Sequence, residues 1–298
     1  MRILLTGKNG QVGWELQHAL ASQGQVFALG SAEMNLADPQ SIRQTLAKIQ
    51  PDVIVNPAAY TAVDKAESEP ELAMAVNGIA PGILAEEAAR LNAVLIHFST
   101  DYVFDGTQAA PYRESDAPNP QSVYGQTKLA GETAIRASGA RHLILRTSWV
   151  YGVHGGNFMK TMLRLGHERD KLRVVADQFG APTWARDLAT ATHTLLQQWQ
   201  AKSFDDTLSG VYHLSAAGKT SWHEYAVEIF RLARQWDASL AGKCPNVQPI
   251  TTTEFPTPAR RPANSVLSNE KIRQAFGIRL PNWQESLAVC LKEVLSAA

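Results

Sequence analysis

Cysteine is nearly absent from this chain: Cys244 and Cys290 are the only two in 298 residues. Two isolated thiols make no metal-binding or redox motif, and a reducing cytoplasm is the expected setting. An excess of charge of either sign is missing as well. The 28 basic side chains balance 28 acidic ones, so neither nucleic acid nor an anionic membrane is expected as the main partner. Long apolar runs are also lacking. No stretch approaches the ~18 residues of a membrane span, and the run at residues 1–5 is too short for a signal peptide before Thr6-Gly7 breaks it. There is no internal repeat and no low-complexity segment. The eight histidines show no ligand spacing and are expected to be structural or surface residues.

What the chain does have is apolar content, 45% of its residues, enough for a large core in one or two domains. Residues 2–6, 25–29, 53–56, 94–99 and 143–147 are short runs rich in Val, Ile or Leu, bounded by Gly, Pro, Asn or Ser. Helical patterns at 12–23, 39–50, 70–91 and 123–138 lie between them. This alternation predicts an α/β, Rossmann-like doubly wound parallel sheet covered on both faces. Beyond about residue 150 the regularity fades. Helices are expected at 184–200, at 221–236 behind the capping-box sequence Ser221-Trp-His-Glu224, and at 282–295. The Pro- and Thr-rich stretch 244–262 reads as extended loop or edge strand. The division expected is a dinucleotide-binding domain over 1–150 and a smaller, mainly substrate-binding domain over 151–298, with the chain returning to the sheet domain at about 177–200.

Directly after the first strand comes Thr6-Gly7-Lys8-Asn9-Gly10-Gln11-Val12-Gly13. Gly7 suits a tight turn, Gly10 a close approach of backbone to a pyrophosphate, and Gly13 close packing of helix on strand. The helix that follows would offer free N–H groups to the phosphates. The second strand ends in Gly30-Ser31, with no carboxylate before Glu33. A phosphate on the ribose 2′ oxygen would therefore meet no repulsion, and Lys8 could help neutralise it. NADPH is the expected cofactor, with NADH tolerated.

Tyr124 and Lys128 stand four residues apart in Val-Tyr-Gly-Gln-Thr-Lys, on one face of a helix. An ammonium beside a phenol lowers its pKa from the free value of about 10 and makes it a usable proton donor. With Ser99-Thr100-Asp101-Tyr102, these motifs resemble those of the extended short-chain dehydrogenase/reductases. The stretches 56–68, 99–106, 146–151, 180–183 and 261–265 narrow the resemblance to the dTDP-4-dehydrorhamnose reductase family, over nearly the whole chain.

That resemblance implies reduction of the C4 ketone of dTDP-4-dehydro-L-rhamnose, the last step of dTDP-L-rhamnose synthesis for cell-surface polysaccharide. By motif, Tyr124 donates the proton, Lys128 holds the nicotinamide ribose and depresses the Tyr124 pKa, and Thr100 orients the carbonyl. Gly7, Asn9, Gly10, Gln11, Val12 and Gly13 line the pyrophosphate side of the cofactor. Gly30 and Ser31 flank the adenosine ribose, Asn35 and Leu36 the adenine. Ala59, Tyr60, Thr61 and Phe98 complete the cofactor site. Asp101, Tyr102 and Trp149 fall to the sugar, and Asn157, Arg261 and Asn264 to the nucleotide, with Arg261 suited to a diphosphate. Asp64, Lys65 and Glu67 are expected only to cap or pair on the next helix.

Some members of the family join two subunits through a metal held by acidic side chains. Here Glu15 is present, but Arg186 and Gln284 stand where acids are expected. No metal is expected in the chemistry, and a monomer or weak homodimer is the expected state. Three alternatives stand beside this reading. A dehydratase or epimerase on the same fold would need an acid/base pair after the Thr, where Asp101 is followed by Tyr102 instead of Glu. Another 4-dehydro-6-deoxysugar reductase, of different stereochemistry, would carry the same motifs. A non-catalytic regulatory subunit, similar to the beta subunit of methionine adenosyltransferase, would not need Tyr124, Lys128 and Thr100.

Overall fold

The computed structural model describes residues 1–237, 239–240 and 244–296. Strands β1 (Arg2–Leu5), β2 (Gln25–Ala28), β3 (Val53–Asn56), β4 (Val94–Thr100) and β5 (Arg141–Thr147) form within two residues of the expected bounds. All run parallel, and the strand Gly210–His213 extends the sheet beyond β5, giving the order 210–213, β5, β4, β3, β1, β2. Ile3 sits between Val26 and Val53 in the register.

Strand side chains alternate between two faces. Ile3, Leu5, Val53, Val55 and Ile96 face one layer, where Leu16 of α1 (Gln11–Ala19) and Leu188, Leu195 and Trp199 of the helix Ala185–Ala201 cover them. Leu4, Ile54, Leu95 and Ile144 face the other, under Leu46 of α2 (Pro39–Ile49) and Leu84 of the helix Ala80–Arg90. Each fully buried Leu or Ile is worth about 1.5–3 kcal/mol. Burial on both faces is why Ile3–Leu5, Val53–Val55, Val94–Ile96 and Leu143–Leu145 are consecutive apolar residues.

One helix expected over 70–91 is three pieces: Pro70–Met74, a wide turn of i→i+5 geometry at Ala75–Ile79, and Ala80–Arg90. Pro81 explains the break, since it has no N–H to offer the carbonyl four residues back, at Asn77. The strand Gly210–His213 has no apolar run to announce it; its pairing with β5 makes it a strand.

A second core forms in the C-terminal half from Tyr151, Met159, Leu163, Tyr225, Ile229, Phe230, Trp283 and Leu287. The capping box is present: Ser221 Oγ accepts from Glu224 N at 3.1 Å and Glu224 Oε2 from Ser221 N at 2.9 Å, starting the helix Trp222–Ala233. In the Pro- and Thr-rich stretch, Asn246–Ile250 pairs as a parallel strand with Lys171–Val175. After residue 150 the chain returns to the sheet layer through Ala185–Ala201 and Gly210–His213. Ile272 and Phe276, on the helix Glu270–Phe276, pack there as well. Among the described residues no helix is long and apolar enough to cross a membrane.

Candidate functional site

The C-terminal ends of the parallel strands open into a cleft of about 580 Å³, the usual ligand position in a doubly wound sheet. Its floor is the glycine turn. Gly7 has φ +62°, and a Cβ on Gly13 would stand 2.0 Å from the Gly7 carbonyl oxygen, so helix α1 can start this close to β1 only with glycine there. Gly10 caps α1 without any side-chain bond, leaving the first N–H groups turned to the cleft. Gly7, Asn9, Gly10, Gln11, Val12, Gly13, Gly30, Ser31, Asn35, Leu36, Ala59, Thr61, Phe98, Tyr124 and Lys128 all line it.

Tyr124, Lys128 and Glu132 recur every four residues along the sheet-facing side of the helix Val123–Ala137. Ser122 starts that helix by accepting from Gly125 N at 3.2 Å. The buried carboxylate of Glu132 anchors it. Arg146 of β5 donates to it at 2.6 and 2.9 Å, and Ser99 of β4 at 2.6 Å. Removing either partner of such a pair leaves an uncompensated buried charge. Asn77, in the wide turn, fixes the other side: its amide bonds both Tyr60 N (2.8 Å) and Tyr60 O (3.0 Å) and reaches Thr127 Oγ1 at 3.3 Å.

Lys128 is 1% exposed. Its Nζ donates to Phe98 O at 2.6 Å and lies 3.2 Å from His97 Nε2. Burial lowers its pKa to about 8, and burial together with Lys128 keeps His97 well below the usual imidazole range. The Tyr124 phenol is pushed up to about 12 by burial; the Thr100 hydroxyl draws it down and the Asp101 carboxylate raises it further. This corrects the expected depression of the phenol by Lys128: the ammonium is turned to Phe98 O, and desolvation dominates. Thr100 Oγ1 donates to Asp101 Oδ1 at 3.0 Å and accepts from Tyr102 N at 3.2 Å. Burial raises the Asp101 carboxyl to about 6, against the Ser265 and Thr100 hydroxyls. The Tyr102 ring meets Tyr124 edge-on at 5.5 Å.

Trp149, Asn157, Arg261 and Asn264 are not among the residues lining the cleft. Trp149 holds φ +47°, rare for a bulky side chain, and stacks on Trp222 at 3.5 Å. Asn157 caps the helix Phe158–Glu168 and donates to Gln11 Oε1 at 3.0 Å. Asn264 donates to Gln108 O and borders a separate 360 Å³ pocket with Gly218 and Lys219. Arg261 grips Asp64 with two bonds, at 3.0 and 2.7 Å. Asp64 therefore pairs across the molecule and not within its own helix, which corrects that expectation, whereas Lys65 does pair locally with Glu69 at 2.8 Å. Glu67 accepts from Val123 N at 2.9 Å, at the start of the tyrosine helix. Tyr60 stands outside the cleft lining, with its hydroxyl on Glu69. Glu15 is engaged by Arg186, which also binds Glu293.

The expectation of a carboxylate-free end to β2 is also corrected. Glu33 folds back, accepts from Gly30 N at 2.8 Å and pairs with Lys8. Gly155 and Gly156 also line the cleft, from the second half of the chain, and Asn77 holds Tyr60 beside it; neither is among the expected site residues. The glycine pair was a visible signal, as was Pro81 for the break beside Asn77; the partners of Asn77, Tyr60 and Thr127, were not.

A doubly wound parallel sheet, a glycine turn at a free helix end and a Tyr-x-x-x-Lys pair at the cleft define a dinucleotide-dependent reductase of the short-chain type. Residues 1–296 match the family described as RmlD substrate binding domain, and the chain belongs to that family. A dTDP-4-dehydrorhamnose reductase of Burkholderia thailandensis is 47% identical over 297 residues, covering 99% of this chain and 100% of its own. One of Shigella flexneri is 49% identical over 300 residues, covering 99% of each. The crystal structure of dTDP-4-dehydrorhamnose reductase from Bacillus anthracis in complex with NADP superposes with TM-score 0.88 at 36% identity, covering 98% of this chain and 99% of that one.

Proposed function

We propose that this protein reduces the C4 ketone of dTDP-4-dehydro-L-rhamnose to the alcohol of dTDP-L-rhamnose, with NADPH as the cofactor. The observation that carries the reading is the placement of Tyr124 and Lys128 in the same cleft as the uncapped glycine turn. Full-length relatives of that name support it.

The residues present fit a dinucleotide: the start of α1 has no side-chain cap, which leaves its first N–H groups for anionic oxygens, and glycines keep Cβ atoms out of the turn. When bound, the dinucleotide supplies the hydride that reaches C4. Tyr124 gives the phenolic proton to the carbonyl oxygen as the alkoxide develops, and burial keeps that proton in place at neutral pH. The Thr100 hydroxyl, beside the phenol, turns its one proton from Asp101 Oδ1 to the carbonyl, orienting it and favouring its developing charge. Lys128, held by Phe98 O, presents its ammonium to the cleft for the nicotinamide ribose. Trp149, Asp101 and Tyr102 wall the sugar, and Asn157, Arg261 and Asn264 serve the nucleotide. A monomer or weak homodimer in the cytoplasm completes the proposal, with residues 151–298 forming most of the substrate-binding part.

One incubation tests it: purified protein, NADPH and dTDP-4-dehydro-L-rhamnose, with product identification. Formation of dTDP-L-rhamnose with matching NADPH oxidation is expected. A different epimer, or no product, would sink the assignment.

A further inference from the structure

At the carboxyl end of β2 three side chains converge on one glycine. A Cβ on Gly30 would lie 3.2 Å from Asn9 Nδ2, 3.2 Å from Glu33 Oε2 and 3.5 Å from Lys8 Cε. The turn after β2 brings Glu33 there: Met34 N donates to Gly30 O at 3.0 Å and Glu33 N to the same oxygen at 3.2 Å. The Glu33 carboxylate is then shared. Oε2 accepts from Gly30 N at 2.8 Å and Oε1 pairs with Lys8 Nζ at 2.5 Å. Gly30, Ser31 and Asn9 line the cleft at this point.

In a doubly wound dinucleotide site, the end of the second strand meets the adenosine ribose. An acid there accepts from a free 2′-hydroxyl, and a cation accommodates a 2′-phosphate. This chain holds one of each, bonded to one another. We infer that Glu33 and Lys8 act as a paired reader of the ribose 2′ position. Glu33 accepts from the hydroxyl of the unphosphorylated dinucleotide, and a 2′-phosphate takes Lys8 from Glu33 and displaces the carboxylate toward solvent. Both side chains are free to move in this way, being 29% and 45% exposed. The pair therefore narrows the margin between NADPH and NADH instead of selecting one. Glu33 does the work of a strand-end acid although it stands three residues beyond Gly30. The inference rests on the dinucleotide reading of the cleft.

Direct binding tests it, with NADPH and NADH titrated separately by calorimetry into the wild type, Glu33→Gln and Lys8→Met. The amide of Glu33→Gln still accepts from Gly30 N, so only charge is removed. The expected result is an NADPH/NADH affinity ratio raised about ten-fold in Glu33→Gln and lowered about ten-fold in Lys8→Met. Ratios within about two-fold of wild type in both variants would reduce the pair to a surface contact and overturn the inference. If the wild type binds neither dinucleotide, the reading of the cleft itself fails, and the inference falls with it.

Discussion

Tyr124 and Lys128 lie one helical turn apart, yet the lysine does not serve the phenol: its Nζ donates to Phe98 O at 2.6 Å, and burial dominates both groups. The tyrosine is thus a neutral acid that keeps its proton, and the lysine is a buried cation near its titration point. Proton donation to a developing alkoxide needs a phenol that is protonated beforehand, and burial ensures this.

Tyr124→Phe removes the proton and little else. NADPH affinity is expected to stay near wild type, while kcat falls about a hundred-fold or more. Calorimetric titration and single-turnover reduction separate the two. Turnover close to wild type would take Tyr124 out of the chemistry.

Lys128 makes stability depend on pH in a defined direction. Its folded pKa is about 8 against an ordinary 10.5. Between these values the unfolded chain binds the extra proton, so stability rises with pH in that window. Lys128→Met abolishes the effect, while the tyrosines contribute alike to both proteins. Urea unfolding at pH 7.5 and pH 10 is expected to show the wild type gaining on the variant by an amount on the order of 2–3 kcal/mol. Parallel pH profiles would mean that Lys128 is not desolvated as described.

Trp222 supports Trp149 in a conformation that a bulky residue rarely holds, φ +47° with the rings stacked at 3.5 Å. Strain of this kind is on the order of 1–3 kcal/mol and persists only under packing. In Trp222→Ala the indole of Trp149 is released. KM for the sugar nucleotide is expected to rise several-fold with NADPH affinity unchanged. An unchanged KM would show that the stack matters for packing alone.

Arg186 takes up the carboxylates of Glu15 and Glu293 with bonds of 2.6 to 3.4 Å. A guanidinium in that place leaves no opening there for a second cation, so EDTA is expected to leave initial rates unchanged. Loss of activity restored by Mg²⁺ would contradict this.

Much of the architecture was legible in the chain. β1, β3 and β4 announce themselves because strands covered on both faces carry consecutive apolar residues, as Val53–Val55 and Val94–Ile96 do, with polar side chains in β3 and β4 only toward the carboxyl ends. Gly7 and Gly13 were legible too, because only glycine tolerates φ +62° or a carbonyl 2.0 Å from its missing Cβ. The strand Gly210–His213 was not, since its edge position needs no apolar run. Asn77 was hidden because its partners, Tyr60 and Thr127, are met only in the fold.

By itself, then, the sequence determined the sheet and the phosphate turn, since these follow from local backbone and packing demands; the tyrosine, lysine and threonine were singled out by their motifs and the family these resemble. The tertiary structure alone decided the electrostatics. Whether Lys128 acts on Tyr124, whether Arg261 is free or held by Asp64, and whether Glu33 reaches the end of β2 all depend on burial and on partners up to 197 residues away. Desolvation and pairing are properties of a folded neighbourhood, and spacing along the chain does not encode them.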